Sequence, residues 1–142
     1  MKTQLLSTIE NLLATIENSR GYTLAVAEAM PEDRYDFKPA SAVWNFLELM
    51  NHITYGINWY KENYIEKTKT PWEPPAPHKT KTATIKNLEQ SFVDLKKVLN
   101  SVDLDEERIH GVYTTLDHIT HHRGQATTYL RCNGIKPAEY IY

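Results

Sequence analysis

The chain reads as an all-α protein, a four-helix bundle with a long proline-rich crossover between its second and third helices. Three observations predict this architecture. Four stretches carry apolar residues at spacings of three and four, the period of a helix with one buried face. No stretch shows the apolar–polar alternation of a half-buried strand. Four prolines, Pro71, Pro74, Pro75 and Pro77, fall together between Thr70 and Thr80, where they stop a helix and favour an extended connection.

The first helix is predicted over about 4–29, with Leu5, Leu6, Ile9, Leu12, Leu13 and Ile16 at helical spacing, resuming at Leu24, Ala25, Val26 and Ala27. Met30-Pro31 ends it, and Gly21 in its middle costs about 1 kcal/mol relative to alanine, which invites a kink or a close neighbour. A polar loop from Pro31 to Ala40 follows. Ser41 is a candidate N-cap for a second helix that runs through Trp44, Leu47, Ile53 and Ile57 to about Lys67, placing His52 in mid-helix. After the crossover, Ile85, Leu88, Phe92, Leu95 and Leu99 form the narrow apolar stripe of helix three, opposite Lys86, Asn87, Glu89, Lys96 and Lys97. Asp103 to Arg108 read as a charged turn. Helix four is expected from about Val112 or Thr114 to Cys132, ended by the C-cap pair Asn133-Gly134 with Pro137 beyond.

The 142 residues are the size of one ordinary domain, 1–142, and the crossover is a connection rather than a boundary, because too few residues flank it for two cores. A formal net charge of −2, with 16 Lys and Arg scattered among 18 Asp and Glu, gives no basic stripe, so nucleic acid is not expected as a direct partner. No apolar run approaches the roughly 20 residues of a membrane span, and the N-terminus has no signal-peptide apolar region. With a single cysteine, Cys132, a soluble, reduced, cytoplasmic protein is the expectation.

Chemistry concentrates in Asp117-His-Ile-Thr-His-His-Arg-Gly-Gln125. His118 and His122 are four apart and share a helix face, so two imidazoles can converge on one ion. A third ligand, His52 from a facing helix, leaves coordination positions open, as in reactive metal sites; structural zinc sites close all four with protein ligands. The fourth helix carries Leu116, Ile119, Ala126 and Leu130 on its apolar side, with His118, His122, Gln125 and Tyr129 on the adjacent stripe. Gly124 interrupts that helix, which suits a neighbour or dimer partner packed close to its backbone.

The run His-x-x-x-His-Arg-Gly-Gln, followed by Tyr-Leu-Arg and Asn-Gly-Ile-Lys-Pro, resembles the DinB family of metal-binding four-helix proteins. Met30-Pro-Glu-Asp-Arg-Tyr-Asp-Phe-Lys-Pro39 resembles that family's loop after the first helix, and Leu47-Glu-Leu-Met-Asn-His52 its second-helix ligand segment. The resemblance spans nearly the whole chain and implies a divalent metal, Zn²⁺ or Ni²⁺ foremost, held by His52, His118 and His122. It also implies a homodimer formed by helix packing. Two enzyme readings follow: metal-assisted hydrolysis, and transfer of a low-molecular-weight thiol to a small electrophilic substrate. The alternative is a non-catalytic metal- or ligand-binding bundle serving stress response or assembly.

No catalytic residue is assigned from the sequence. Hydrolysis normally needs a carboxylate to take the water proton, and Ile119 stands where a metalloprotease helix has glutamate. Asp117 and Glu48 are the candidates, as base or as a partner that orients a ligand imidazole. His121 points about 100° from His122 and is expected at the surface. His78 and His110 are expected as solvated bystanders, and Cys132 as a packed small residue. Trp44, Tyr55, Trp59 and Tyr60 suit core or interface positions on helix two, a substrate-facing aromatic wall being the less favoured reading. Trp72, in the crossover, is either an anchor for that loop or a lid over a pocket.

Overall fold

The computed structural model describes residues 1–141, apart from the side chain of Leu5, which lies outside the described residues along with its predicted place in the first apolar stripe. Among them are four α-helices and no strand: α1 (Lys2–Ala29), α2 (Phe46–Tyr60), α3 (Lys81–Ser101) and α4 (Glu106–Cys132). Both α3 and α4 pack against α2, and α1 packs against the same two helices. The core between them is built from Ile16, Val26, Met30, Phe46, Met50, Ile53, Leu88, Phe92, Leu95, Ile119 and Leu130, all fully buried.

Helix α1 runs without interruption through Gly21, where an added Cβ would meet nothing within 4 Å. Its buried positions, Leu12, Ile16, Ser19, Thr23, Val26 and Met30, recur at spacings of three and four, whereas Leu6 is exposed. The polar members of that seam receive Arg123 of α4. Its buried guanidinium donates to Ser19 Oγ at 3.3 Å and Thr23 Oγ1 at 3.2 Å, and lies 4.7 Å from the Tyr22 ring and 5.3 Å from the Tyr140 ring. Hydroxyls and aromatic faces thus solvate a charge whose isolated burial would be costly.

The second helix starts four residues later than its sequence suggests. Ser41 to Trp44 are exposed, and the N-cap is Asn45, whose side chain accepts from Glu48 N while Glu48 accepts from Asn45 N. This reciprocal pair is a capping box, with the glutamate three residues after the cap. The two N–H groups it leaves over are met by the preceding loop: Phe46 N donates to Phe37 O and Leu47 N to Tyr35 O. All donors of the first turn are therefore satisfied, and the loop is locked to the helix it precedes. Tyr35 extends the lock by donating to Ala27 O at 2.7 Å.

At its other end α2 passes into a π-turn, Lys61–Ile65. Here it meets the start of α4: Arg108 Nε donates to Ile65 O at 2.9 Å, and Lys67 pairs with Asp105 and Glu107 at 2.8 and 3.0 Å. The second half of the predicted charged turn, Glu106 to Arg108, is helix. Asp105 caps α4 by accepting from Arg108 N, and Glu106 and Glu107 occupy its first turn, where carboxylates face the positive end of the helix. The start at Val112 or Thr114 is thus corrected by six residues or more, and His110 lies on α4 rather than before it. At the far end Gly134 adopts φ 71°, the left-handed conformation that glycine takes without strain, and the predicted Asn-Gly stop is observed. Cys132 is exposed, not packed.

The crossover is fastened by one face of α2 and of the π-turn that continues it. Asn51, Tyr55, Trp59 and Asn63 follow one another at intervals of four, and each bonds the connecting chain. Asn51 exchanges hydrogen bonds with the backbone of His78, and Tyr55 OH accepts from Glu73 N at 2.8 Å. Trp59 Nε1 donates to the Thr70 and Pro71 carbonyls, and Asn63 Oδ1 accepts from Thr70 N.

Replacing Asn45 with alanine removes the side-chain cap and the anchor of the box together. The expected loss is about 1 kcal/mol of unfolding free energy, read as a lower urea midpoint at unchanged slope.

Candidate metal centre

Helix α2 carries His52 one residue beyond the Asn51 rung, on the stripe that faces α4. Helix α4 carries His118 and His122 one turn apart on the stripe that faces α2. The three Nε2 atoms converge: His52 Nε2 lies 3.0 Å from His122 Nε2 and 3.1 Å from His118 Nε2. Ligand atoms of the three residues all fall within 4.8 Å of one another, and among the described residues this is the group of histidine, cysteine or carboxylate side chains arranged to hold a metal ion.

Hydrogen bonding among the rings does not account for this geometry. A neutral imidazole carries one proton, so His52 Nε2 cannot make a full hydrogen bond to both neighbours. Two nitrogens bound to one tetrahedral ion at 2.0–2.1 Å lie about 3.3 Å apart, close to the separations found. His122 Nδ1 is 2.8 Å from Gln125 Oε1, a carbonyl oxygen that only accepts, which assigns the ring proton to Nδ1 and leaves the Nε2 lone pair aimed into the cluster. His118 Nδ1 is buried with no hydrogen-bond partner, so packing alone orients this ring. The donor set therefore fits a divalent transition metal with open positions.

The packing that sets His118 comes from Gly56, one turn after His52 on α2. A Cβ at Gly56 would overlap the His118 ring at Cε1 and Nδ1. Tyr60, a further turn along, lies 5.5 Å from that ring. Two indoles flank His52: Trp44 at 4.4 Å and Trp72 at 5.7 Å between ring centroids. Trp44 also reaches His122, at 5.8 Å, and Trp72 reaches His118, at 6.1 Å. Trp72 is itself packed on Tyr55, Trp59 and Tyr60, so it both anchors the crossover and walls the histidines.

This apolar surround keeps the imidazoles neutral. Burial, reinforced by the neighbouring rings, lowers His118 to about 3 and His52 to about 4. His122 is lowered by burial as well, against the opposing pull of Gln125.

The other sequence candidates fall outside the cluster. His121 is exposed, its ring 4.7 Å from that of His122, and Asp117 is exposed beside it on α4. Glu48 is engaged in the capping box. His110 packs against Tyr64, and His78 lies in the crossover with its backbone N–H held by Asn51. Gly124, expected against a close neighbour, has nothing within 4 Å. Trp44 stands just before α2 rather than on it. Sequence reasoning missed Gly56 and gave Gln125 no role; the signals were there in a glycine four after His52 and an amide three after His122.

A family model described as the DinB superfamily matches residues 15–126, which include all three histidines. Among solved structures, the chain is similar to a DinB-like protein, YjoA, from Bacillus subtilis, with a TM-score of 0.68 and 19% identity over 93% of this chain and 96% of that one. At that identity the likeness concerns the fold. No curated protein matches the chain.

Gly56→Ala should leave helix content intact, since alanine favours a helix, yet displace the His118 ring and weaken metal binding by roughly tenfold or more. Calorimetric titration with Zn²⁺ beside circular dichroism separates the two effects. A pH dependence follows too. Between pH 6.5 and about 4 the unfolded chain protonates His52 and His118 while the folded chain keeps them neutral, so their contribution favours folding at higher pH and is lost as pH falls through this window. In the metal-free protein, melting temperatures at pH 7 and pH 4.5 should differ more for the native chain than for His52→Phe/His118→Phe; an identical difference in the two would contradict the assignment.

Proposed function

Because the chain belongs to the DinB superfamily, we propose that it binds one divalent transition metal, Zn²⁺ or Ni²⁺, through His52, His118 and His122 and uses it to activate a small ligand. The convergence of three Nε2 atoms within about one ion's reach carries this reading. A divalent ion with open positions supplies Lewis acidity, favouring the deprotonated form of a thiol or water that reaches it.

The protein's own residues favour one of the two chemistries over the other. His52, His118 and His122 bring lone pairs but no negative charge, so an ion held there keeps its full charge and favours an anionic ligand. Gln125 fixes the tautomer of His122, and Gly56 and Tyr60 fix the ring of His118. Trp44 and Trp72 limit water beside His52. No carboxylate joins the cluster among the described residues. Glu48 is engaged in capping and Asp117 is exposed, which leaves hydrolysis without a positioned base. Transfer of a low-molecular-weight thiol to an electrophile would need no such base, because an ion held by His52, His118 and His122 would favour the thiolate, with solvent taking the proton. We favour it over hydrolysis, and it forms a new sulfur–carbon bond as the electrophile's leaving group departs.

The non-catalytic reading, a metal- or ligand-binding bundle, shares the site and differs in turnover. The open face around Gly124 is the surface we assign to a homodimer of this chain.

Metal content per chain, measured by mass spectrometry after reloading at neutral pH, should be near one equivalent for the native protein and fall by roughly tenfold or more for His52→Ala, His118→Ala and His122→Ala separately. Binding indifferent to these changes would overturn the site. With the metal-loaded protein, turnover of a thiol and an alkylating substrate that disappears in His118→Ala supports the transferase; metal retained with no turnover supports the binding protein.

A further inference from the structure

A cleft of about 280 Å³ opens beside His52, between α2 and the crossover. His52 is the one histidine of the cluster that lines it, and Trp44, the indole that touches both His52 and His122, forms its near wall. Tyr55 and Asn58 of α2 line it, as do Pro75 and Pro77 of the crossover. Trp72, the other indole against His52, is not part of that lining and packs instead on Tyr55, Trp59 and Tyr60. Room beside His52 therefore lies toward Trp44 and the prolines.

From this arrangement we infer that the cleft receives the body of the ligand whose head reaches the metal, and that the ligand is a small molecule with a metal-ligating head and a flat, apolar body. The inference rests on the metal reading above and adds the substrate class. Three properties of the walls select it. Trp44 is 46% exposed, an indole face available for stacking at the mouth. The prolines offer rigid apolar surfaces, and their backbone is held on either side by the Tyr55–Glu73 and Asn51–His78 hydrogen bonds, so the wall is preformed and little order is lost on binding. The volume is just below the range of about 300–1,000 Å³ usual for ligand pockets, which suits a body of one or two rings and excludes a dinucleotide-sized ligand. Asn51 is consumed by its bonds to Leu47 O, Thr84 and the His78 backbone, so the polar side chains left to meet a ligand include Asn58, His78, Asn87 and the Glu48 carboxylate. Against so few polar groups an apolar body is the better fit, and the carboxylate among them disfavours an anionic one.

Cobalt-loaded protein tests this with two probes that share a head, imidazole and 4-phenylimidazole, titrated against the visible d–d absorption. The phenyl compound should bind roughly tenfold tighter or more, as its ring leaves water for the cleft. Asn58→Trp, which fills the cleft, should bring the ratio of the two affinities close to one while cobalt stoichiometry is unchanged, and Trp44→Ala, which removes the near wall, should lower the same ratio. Equal affinities in the native protein, or a preference that survives both substitutions, would overturn the cleft assignment with the metal site intact. A protein that shows no cobalt band dependent on His118 overturns the metal reading and the present one with it, and is told apart from the former outcome before any probe is added.

Discussion

Everything at the histidine cluster depends on how closely α2 and α4 approach. Two glycines permit that approach from opposite helices. Gly56 on α2 leaves room for the His118 ring, and Gly111 on α4 leaves room for Tyr64, whose Cβ would stand 2.5 Å from a Cβ at that position. The contact is then fastened beyond Gly111 by Arg108 on the Ile65 carbonyl and Lys67 on Asp105 and Glu107. Exposed ion pairs of this kind contribute little to stability individually. Their value here is registry: they fix the rotation and slide of the two helices that the three imidazoles require.

Helix α2 carries two jobs on adjacent stripes. Asn51, Tyr55, Trp59 and Asn63 face the crossover, while His52, Gly56 and Tyr60 face α4. The i, i+4 period keeps the stripes parallel, so each rung of the ladder stands beside a residue of the site. This explains why Trp72, remote in sequence from both histidine helices, ends against His52 and His118. The neutral imidazoles are a consequence of the same layout, because the aromatic walls exclude the water that would stabilise their charged forms.

Helix identity and the histidine trio were legible in the sequence because both depend on spacing. The stripe Leu88, Phe92, Leu95, Leu99 has the helical period, and His118 and His122 must share a face on any helix that contains them. The start of α2 was less legible. Ser41 and Asn45 are both good caps, and the choice fell to Asn45 through Glu48 and through the Phe37 and Tyr35 carbonyls, which only the folded loop supplies. Asp103 to Arg108 have the charge density of a solvated turn, although an Asp followed by two Glu is also how a helix begins. Gly56 could not be read as a site residue without knowing which helix faces it. The fate of Trp72 depended on contacts to three residues of another helix, which spacing within the crossover does not encode.

The ladder on α2 grips the crossover largely through main-chain atoms: the backbones of Thr70, Pro71, Glu73 and His78 make the bonds. Any sequence that supplies the same amides and carbonyls would be held in the same place. The side chains at 74–77, which wall the cleft, are thereby uncoupled from the anchorage, so mutation can reshape the cavity without loosening the segment that forms it. Relatives sharing these four rungs can diverge in what they accept while conserving how they fold, and the short stretch between Glu73 and His78 is where such divergence would be concentrated.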